Sequence, residues 1–236
     1  MAGKKVVVTG ASRGIGLEIA QTFADYGANV IGTRTTPTEC SEGPCTKWLI
    51  ADFTDLPQLY DCAAKVKAIA PDVLINNAGI NKIEEFTQID PEDFLLIQQV
   101  NVFAPFLLCQ SVIPPMINNK WGRIVNISSI WGQIGKEFRG SYASSKFAID
   151  GLTLTIAAEH SRDGILANCV APGFTDTQLT RSVLGEEEIR NLSTMVPIRR
   201  MAAAEEIARF VRWLASDENT YITGQHIAID GGFTRV

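Results

Sequence analysis

Apolar and polar positions along this chain follow two alternating periods. Lys5-Val6-Val7-Val8-Thr9 is a continuous β-branched run, the pattern of a strand buried on both faces in a parallel sheet. Over residues 17–26 the apolar positions return at helical spacing, and Gly27 ends the run. The exchange then repeats. Further strands are predicted at 29–34, 48–51, 72–75, 122–129, 166–170 and 227–229. Helices are predicted at 56–69, at 90–100 with Pro91 in the first turn, from 140 onward, at 186–192 and at 204–216. Pro37, Gly43 and Pro44 argue against a long helix between 37 and 47. A parallel crossover usually carries one, so this connection is expected to be a loop or a stub.

The alternation, without linker, repeat or low-complexity tract, predicts an α/β fold. It reads as a single Rossmann-type doubly wound domain over residues 1–236, with about seven parallel strands and helices on both faces. Asn101 falls inside or at the end of the 90–100 pattern, before the apolar run 102–108. It reads either as a core hydrogen-bonder or as a kink holding water, and its surroundings favour the former. The stretch 174–201 is polar and broken, and is expected as a substrate lid, because substrate loops gather at the carboxyl ends of parallel strands.

Composition narrows the partners. The chain has 236 residues, 46% of them apolar, enough for one large domain or two small ones. A net charge of −5 argues against nucleic acid, which needs a basic face. No apolar run approaches the ~20 residues of a membrane span. Met1-Ala2-Gly3-Lys4-Lys5 leads straight into the first strand without the features of a secretory signal, so a cytoplasmic location is expected. Cys62, Cys109 and Cys169 sit among apolar residues and read as buried. Cys40 and Cys45 share a polar loop, where free thiols are favoured over a disulfide. His160 and His226 lack a second ligand at metal spacing and read as structural or exposed.

Candidate chemistry gathers at the ends of the predicted strands. Thr9-Gly10-Ala11-Ser12-Arg13-Gly14-Ile15-Gly16 joins the first strand to the first helix. Glycines let the backbone approach a pyrophosphate, and the helix N-terminus offers N–H groups and positive dipole. The spacing is G-x-x-x-G-x-G rather than G-x-G-x-x-G, and a plain tight turn is the alternative. The second strand ends in Thr33-Arg34-Thr35-Thr36, where an NAD-specific sheet carries an acid. Arg34 is available for a 2′-phosphate, with Arg13 nearby, so NADP(H) is expected over NAD(H), unless both arginines are simply surface residues. Asp52, after the third strand, suits either an adenine edge or a helix cap beside Thr54-Asp55. Asn76-Asn77-Ala78-Gly79 follows the fourth strand and Ser128-Ser129 ends the fifth.

Tyr142 and Lys146 stand four apart on one helix face. A cation about 4 Å from a phenol favours the phenolate by roughly 4 kcal/mol at an effective dielectric near 20. That would bring a tyrosine into the range of a general acid/base; a solvated helix face is the bland alternative.

In order and spacing, these motifs resemble the short-chain dehydrogenases/reductases along essentially the whole chain. They are Thr9-Gly10-x-x-x-Gly14-Ile15-Gly16, Asn76-Asn77-Ala78-Gly79, Asn101, Ser129, Tyr142-x-x-x-Lys146, Pro172-Gly173 and Asp230-Gly231-Gly232. The family's serine-to-tyrosine distance selects Ser129 over Ser128. Ala171-Pro172-Gly173-Phe174, Trp213-Leu214-Ala215-Ser216-Asp217 and Tyr221-Ile222-Thr223-Gly224 resemble 3-oxoacyl-[acyl-carrier-protein] reductases in particular.

The resemblance implies hydride transfer from NADPH to a ketone. Tyr142 would be the proton donor, Lys146 its modulator and ribose ligand, Ser129 a donor to the substrate oxygen, and Asn101 the anchor of a relay water. The implied cofactor-binding set is Gly10, Ser12, Arg13, Gly14, Ile15, Gly16, Arg34, Asp52, Phe53, Asn77, Ala78, Gly79, Tyr142, Lys146, Pro172, Gly173, Thr175 and Thr177. A 3-oxoacyl thioester on acyl carrier protein or CoA is the leading substrate. A sugar, polyol or other secondary alcohol is the alternative, and a non-catalytic NADP(H)-binding regulator a third reading. Lys120 and Arg162 stand where such reductases tend to carry basic residues for an acidic carrier. A homotetramer is implied, built on the helices after the fourth and fifth strands; Phe103, Phe106, Leu107, Phe147, Leu152 and Ile156 suit that contact or core packing equally.

Overall fold

The computed structural model describes residues 1–37, 43–177, 180–181 and 185–236. Seven strands form one parallel sheet: β1 (Lys5–Val8), β2 (Asn29–Arg34), β3 (Lys47–Ile50), β4 (Val73–Asn76), β5 (Gly122–Ile127), β6 (Ile165–Pro172) and β9 (His226–Ile229). Their spatial order is β3-β2-β1-β4-β5-β6-β9. A separate pair, β7 (Thr175–Asp176) and β8 (Ala202–Ala203), lies outside it. The helices are α1 (Gly14–Asp25), α2 (Leu56–Ile69), α3 (Pro91–Gln98), α4 (Ala104–Asn119), α5 (Gly140–His160), α6 (Glu186–Met195) and α7 (Ala204–Leu214).

The unbroken valine run of β1 has a direct physical reading. Val6 and Val8 point into one core with Ile19 and Phe23 of α1 and Ile207 and Val211 of α7. Val7 points into the other, with Leu59 and Val66 of α2 and Leu108 and Val112 of α4. Side chains of a strand alternate between faces, so a strand with helices on both sides is apolar at every position.

The structure departs from the sequence reading in several places. Helix α1 begins at Gly14, three residues before its apolar spacing starts, so the last glycines of the loop form its first turn. Helices α3 and α4 join through a π-helical turn, Gln99–Phe103, with Asn101 in its middle. The combined helix Pro91–Asn119 passes through Pro114 and Pro115 without ending. A proline pair removes two backbone donors, yet Val112 and Met116 on either side are fully buried, and that packing holds the turn. By length and composition alone the same 29-residue segment passes as a possible membrane span, its most apolar window reaching a mean hydropathy of 1.6, although Gln98, Gln99, Asn101 and Gln110 interrupt the apolar run. Its inner face, including Val100, Leu108 and Cys109, is taken up by the core beneath.

Cys45 was expected in a polar loop but is buried, and burial pushes its thiol up to about 11; Cys40 lies outside the described residues. His226 is partly buried, with Asp150 at 3.5 Å. The positions expected at a subunit contact divide: Phe103, Leu107 and Ile156 pack partly against the core, whereas Phe106 and Phe147 are 41% and 48% exposed. Of the stretch 174–201, residues 178–179 and 182–184 lie outside the described residues.

Candidate active site

The carboxyl ends of β1, β2 and β4 are stitched together by side chains. The Thr9 hydroxyl oxygen accepts from the backbone N–H groups of Asn77 and Ala78, both at 2.9 Å. The Asn77 amide donates to the carbonyls of Thr9 (3.0 Å) and Gly10 (3.2 Å). Thr33 Oγ1 accepts from Gly10 N at 3.0 Å, and the Thr33 carbonyl accepts from Ala11 N at 3.1 Å. Thr9 and Thr33 fix the geometry of the glycine loop; their only sequence signal was a hydroxyl at a strand end beside glycines.

At the mouth of this loop, Arg13 caps α1 with no side-chain hydrogen bond, and the first turn carries no acidic residue. The N–H groups of that turn, including those of Gly14 and Ile15, therefore meet no acidic side chain from their own turn. That suits a diphosphate held by the helix dipole and free N–H groups. Ser12 and Arg13 are exposed beside them. Thr177 lies across from Gly14, its methyl carbon 3.8 Å from where a Cβ on that glycine would be, and its hydroxyl pairs with Thr180 at 2.9 Å. Thr175 is buried and donates to the Gly173 carbonyl at 3.2 Å. Gly173 itself packs where a Cβ would meet Asp230 Cα at 2.8 Å, joining the Pro172-Gly173 turn to the C-terminal one.

Toward β2 and β3, the Arg34 guanidinium lies over the Trp48 indole, 4.7 Å from its centroid. Asp52 is not a helix cap. Its Oδ1 accepts from Thr54 N (2.9 Å) and Thr54 Oγ1 (2.7 Å), while Asp55 caps α2 by accepting from Gln58 N. The Phe53 ring is buried in the core below.

A second group of side chains meets at the ends of β4 and β5. Lys146 is 5% exposed; its Nζ donates to the Ile127 carbonyl at 2.8 Å and stands 5.4 Å from the Tyr142 ring centroid. A Cβ at Gly79 would fall 3.7 Å from that Nζ and 3.3 Å from Asn101 Oδ1, so the glycine lets lysine and asparagine approach one strand end. Asn101 is the core hydrogen-bonder its surroundings favoured. Its Oδ1 accepts from Ile80 N (2.9 Å), and its Nδ2 donates to the Ile80 carbonyl (2.9 Å) and to Ser145 Oγ (3.0 Å). Ser145, unremarked in the sequence, donates in turn to the Tyr142 carbonyl at 2.7 Å. The Ser128 hydroxyl is spent on the Lys146 carbonyl (3.2 Å). The Ser129 oxygen accepts from Trp131 N (3.2 Å), which leaves its own O–H to donate.

Lys120 and Arg162 lie elsewhere. Lys120 caps the C-terminus of α4 just before β5, and its carbonyl abuts Gly164, just before β6. Both basic residues therefore stand at the amino edge of the sheet, opposite Tyr142.

The whole arrangement has close counterparts. Residues 10–234 match the family described as Enoyl-(Acyl carrier protein) reductase. The chain is 36% identical over 241 residues to the 3-oxoacyl-[acyl-carrier-protein] reductase FabG of Escherichia coli (strain K12), covering 99% of this chain and 98% of that protein. It is 32% identical to the D-beta-hydroxybutyrate dehydrogenase of Rhizobium meliloti (strain 1021), covering 98% of each. Among solved structures, a gluconate 5-dehydrogenase from Burkholderia cenocepacia J2315, in complex with NADP and tartrate, superposes with a TM-score of 0.91. The identity is 28%, over 100% of this chain and 97% of that one.

Proposed function

The chain belongs to the short-chain dehydrogenase/reductase family, an NADP-dependent oxidoreductase of ketone and CH–OH groups, and from that premise we propose an NADPH-dependent ketone reductase with a 3-oxoacyl thioester as lead substrate. The residues present fit the cofactor. The open first turn of α1 suits its diphosphate, and Arg34 suits its 2′-phosphate. Bound NADPH supplies the hydride that reduces the carbonyl carbon.

The chain's own groups handle the oxygen. Tyr142 gives its phenolic proton to the carbonyl oxygen, so that ketone becomes secondary alcohol. Ser129 donates a hydrogen bond to the same oxygen as negative charge develops, a stabilisation available without reorganisation. Lys146, fixed by Ile127, holds its ammonium beside the phenol and takes the nicotinamide ribose. Asn101 anchors the relay that returns a proton to Tyr142. Both of its amide hydrogens are committed, so a relay water would bind at Oδ1 or at backbone freed by the π turn. Asp52, Phe53, Ala78, Gly79, Thr175 and Thr177 complete the cofactor's surroundings, and the stretch 174–201 serves as the substrate lid of a single domain. The exposed Leu95, Phe106, Phe147 and Leu154 support assembly through α3, α4 and α5, read as a homotetramer.

The observation that carries this reading is Lys146, a buried ammonium tied to the end of β5 with Tyr142 on one side and Asn101 on the other. The thioester rests on the likeness to the Escherichia coli enzyme. The gluconate and hydroxybutyrate dehydrogenases keep a second substrate class, sugar acids and small hydroxy acids, as the alternative. Because Lys120 and Arg162 stand at the opposite edge of the sheet from Tyr142, the thioester is proposed independently of any carrier docked there.

The test is NADPH oxidation against acetoacetyl thioesters and keto-sugar acids side by side. Tyr142→Phe should lower turnover at least ~100-fold, the usual scale of a lost general acid, with NADPH affinity nearly unchanged. Activity surviving that change would remove Tyr142 as the donor. Tight NADPH binding with no turnover of any ketone would replace the enzyme by a nucleotide-binding regulator.

A further inference from the structure

We infer that Trp48 is a positioning residue for cofactor choice: its indole holds Arg34 in place to read the 2′-phosphate of NADPH. The inference rests on the assignment of Arg34 proposed above.

It begins with register. Strands β2 and β3 pair in parallel, with Gly32 opposite Trp48 and Arg34 opposite Ile50. Residues two apart on a strand share a face, so Gly32 and Arg34 look out on the same side. Gly32 offers no side chain there. A Cβ at that position would fall 2.7 Å from Trp48 Cζ3, 2.6 Å from Cys45 Sγ and 3.0 Å from Ala11 Cβ. The indole therefore lies flat over the strand, against the glycine loop. Arg34, the next residue on that face, lays its guanidinium across the ring.

Two further observations point to the ring face as what matters. Trp48 Nε1 is buried with no hydrogen-bond partner among the described residues, so none of their hydrogen bonds accounts for an indole here, and an unpaired buried N–H carries a desolvation cost. Cys45, beside the ring, is a buried thiol whose pKa is pushed up to about 11 by burial, so it adds no charge of its own against the ring. A long cationic side chain loses rotamer freedom when it grips a ligand, and a surface that orders it beforehand reduces that loss. NADH has no 2′-phosphate and is indifferent to where Arg34 lies.

The test measures Kd for NADPH and for NADH by fluorescence titration of the full chain, without substrate. The forms compared are wild type, Arg34→Ala, Trp48→Met and Trp48→Phe. Arg34→Ala should lower the preference for NADPH by at least ~30-fold, the scale of a charge-assisted phosphate contact. Trp48→Met should lower it about 5–10-fold through NADPH alone, the scale of a half-buried cation–π contact, with NADH within about twofold. Trp48→Phe, which keeps a ring, should restore most of the preference. If Arg34→Ala leaves the preference intact, the 2′-phosphate assignment fails and the inference falls with it. If Arg34→Ala collapses the preference and Trp48→Met does not, the positioning role alone is wrong. Equal weakening of both cofactors would make Trp48 a general support of the site and overturn its part in selection. Should Met prevent folding, Trp48→Leu gives a second ringless variant with the same readout.

Discussion

Gly16→Ala tests whether the glycine loop owes its geometry to close packing. A Cβ at position 16 would lie 2.3 Å from the Gly10 carbonyl oxygen and 2.4 Å from Asn77 Nδ2. Those two atoms are hydrogen-bonded to each other at 3.2 Å, and the Asn77 amide is held a second time by Thr9. Neither can yield without breaking the link between β1 and β4, so α1 must shift outward or the amide must leave. Losing two amide bonds costs about 1 kcal/mol each, and overpacking adds about 1–3 kcal/mol. The sum is roughly 3–5 kcal/mol. At ~2.1 cal/mol/K of unfolding entropy per residue, a chain of this length should lose about 6–10 °C of Tm. The N–H groups proposed above for the diphosphate move with the helix, and an error near 1 Å in a positioned group can cost ~100-fold. Scanning calorimetry and NADPH titration read both effects. Gly135→Ala, where a Cβ meets nothing within 4 Å, is the control. If Gly16→Ala melts and binds like that control, close packing is not what shapes the loop.

Other perturbations probe other parts of the fold. Asn101→Leu strands the N–H and carbonyl of Ile80 and the hydroxyl of Ser145 in a buried site; it should destabilise by about 3 kcal/mol and lower turnover, and a wild-type melting curve would refute it. Arg123→Met removes buried donors to the carbonyls of Gly122, Gly164, Ser216 and Asn219 at the amino edge. About 2–4 kcal/mol should be lost in urea unfolding, while kcat/KM of the folded enzyme stays within about twofold; a catalytic defect without a stability defect would contradict this. Burial lowers the His226 pKa, Asp150 at 3.5 Å opposes the shift, and the Lys146 charge adds to it. Below the ordinary value near 6.5 the unfolded chain thus binds a proton the folded one resists, so stability falls as pH drops through that region. His226→Gln should flatten this contribution in Tm-against-pH curves; parallel curves would show that the histidine is not its source.

The candidate site residues were legible because a parallel sheet gathers such motifs at its carboxyl edge. Each motif follows a continuous apolar run, and such a run marks a strand buried on both faces, so the ends of β1, β4 and β5 could be found one at a time. What escaped reading depends on pairs. The start of α1 at Gly14 is invisible to periodicity, since its first turn faces the loop rather than the core. Asp52 and Asp55 carry the same capping chemistry, and only the path of the turn gives the cap to Asp55. The π turn at Asn101 keeps an apolar pattern while displacing it, and packing at Val112 and Met116 overrides the stop signal of two prolines. Trp48 reads as one more strand residue until the register sets it on Gly32, and Cys45 reads as polar loop until the same glycine gives it a place to be buried. Register is a property of two strands together. A chain read in order therefore reveals the motifs at strand ends more readily than the neighbours that hold them there.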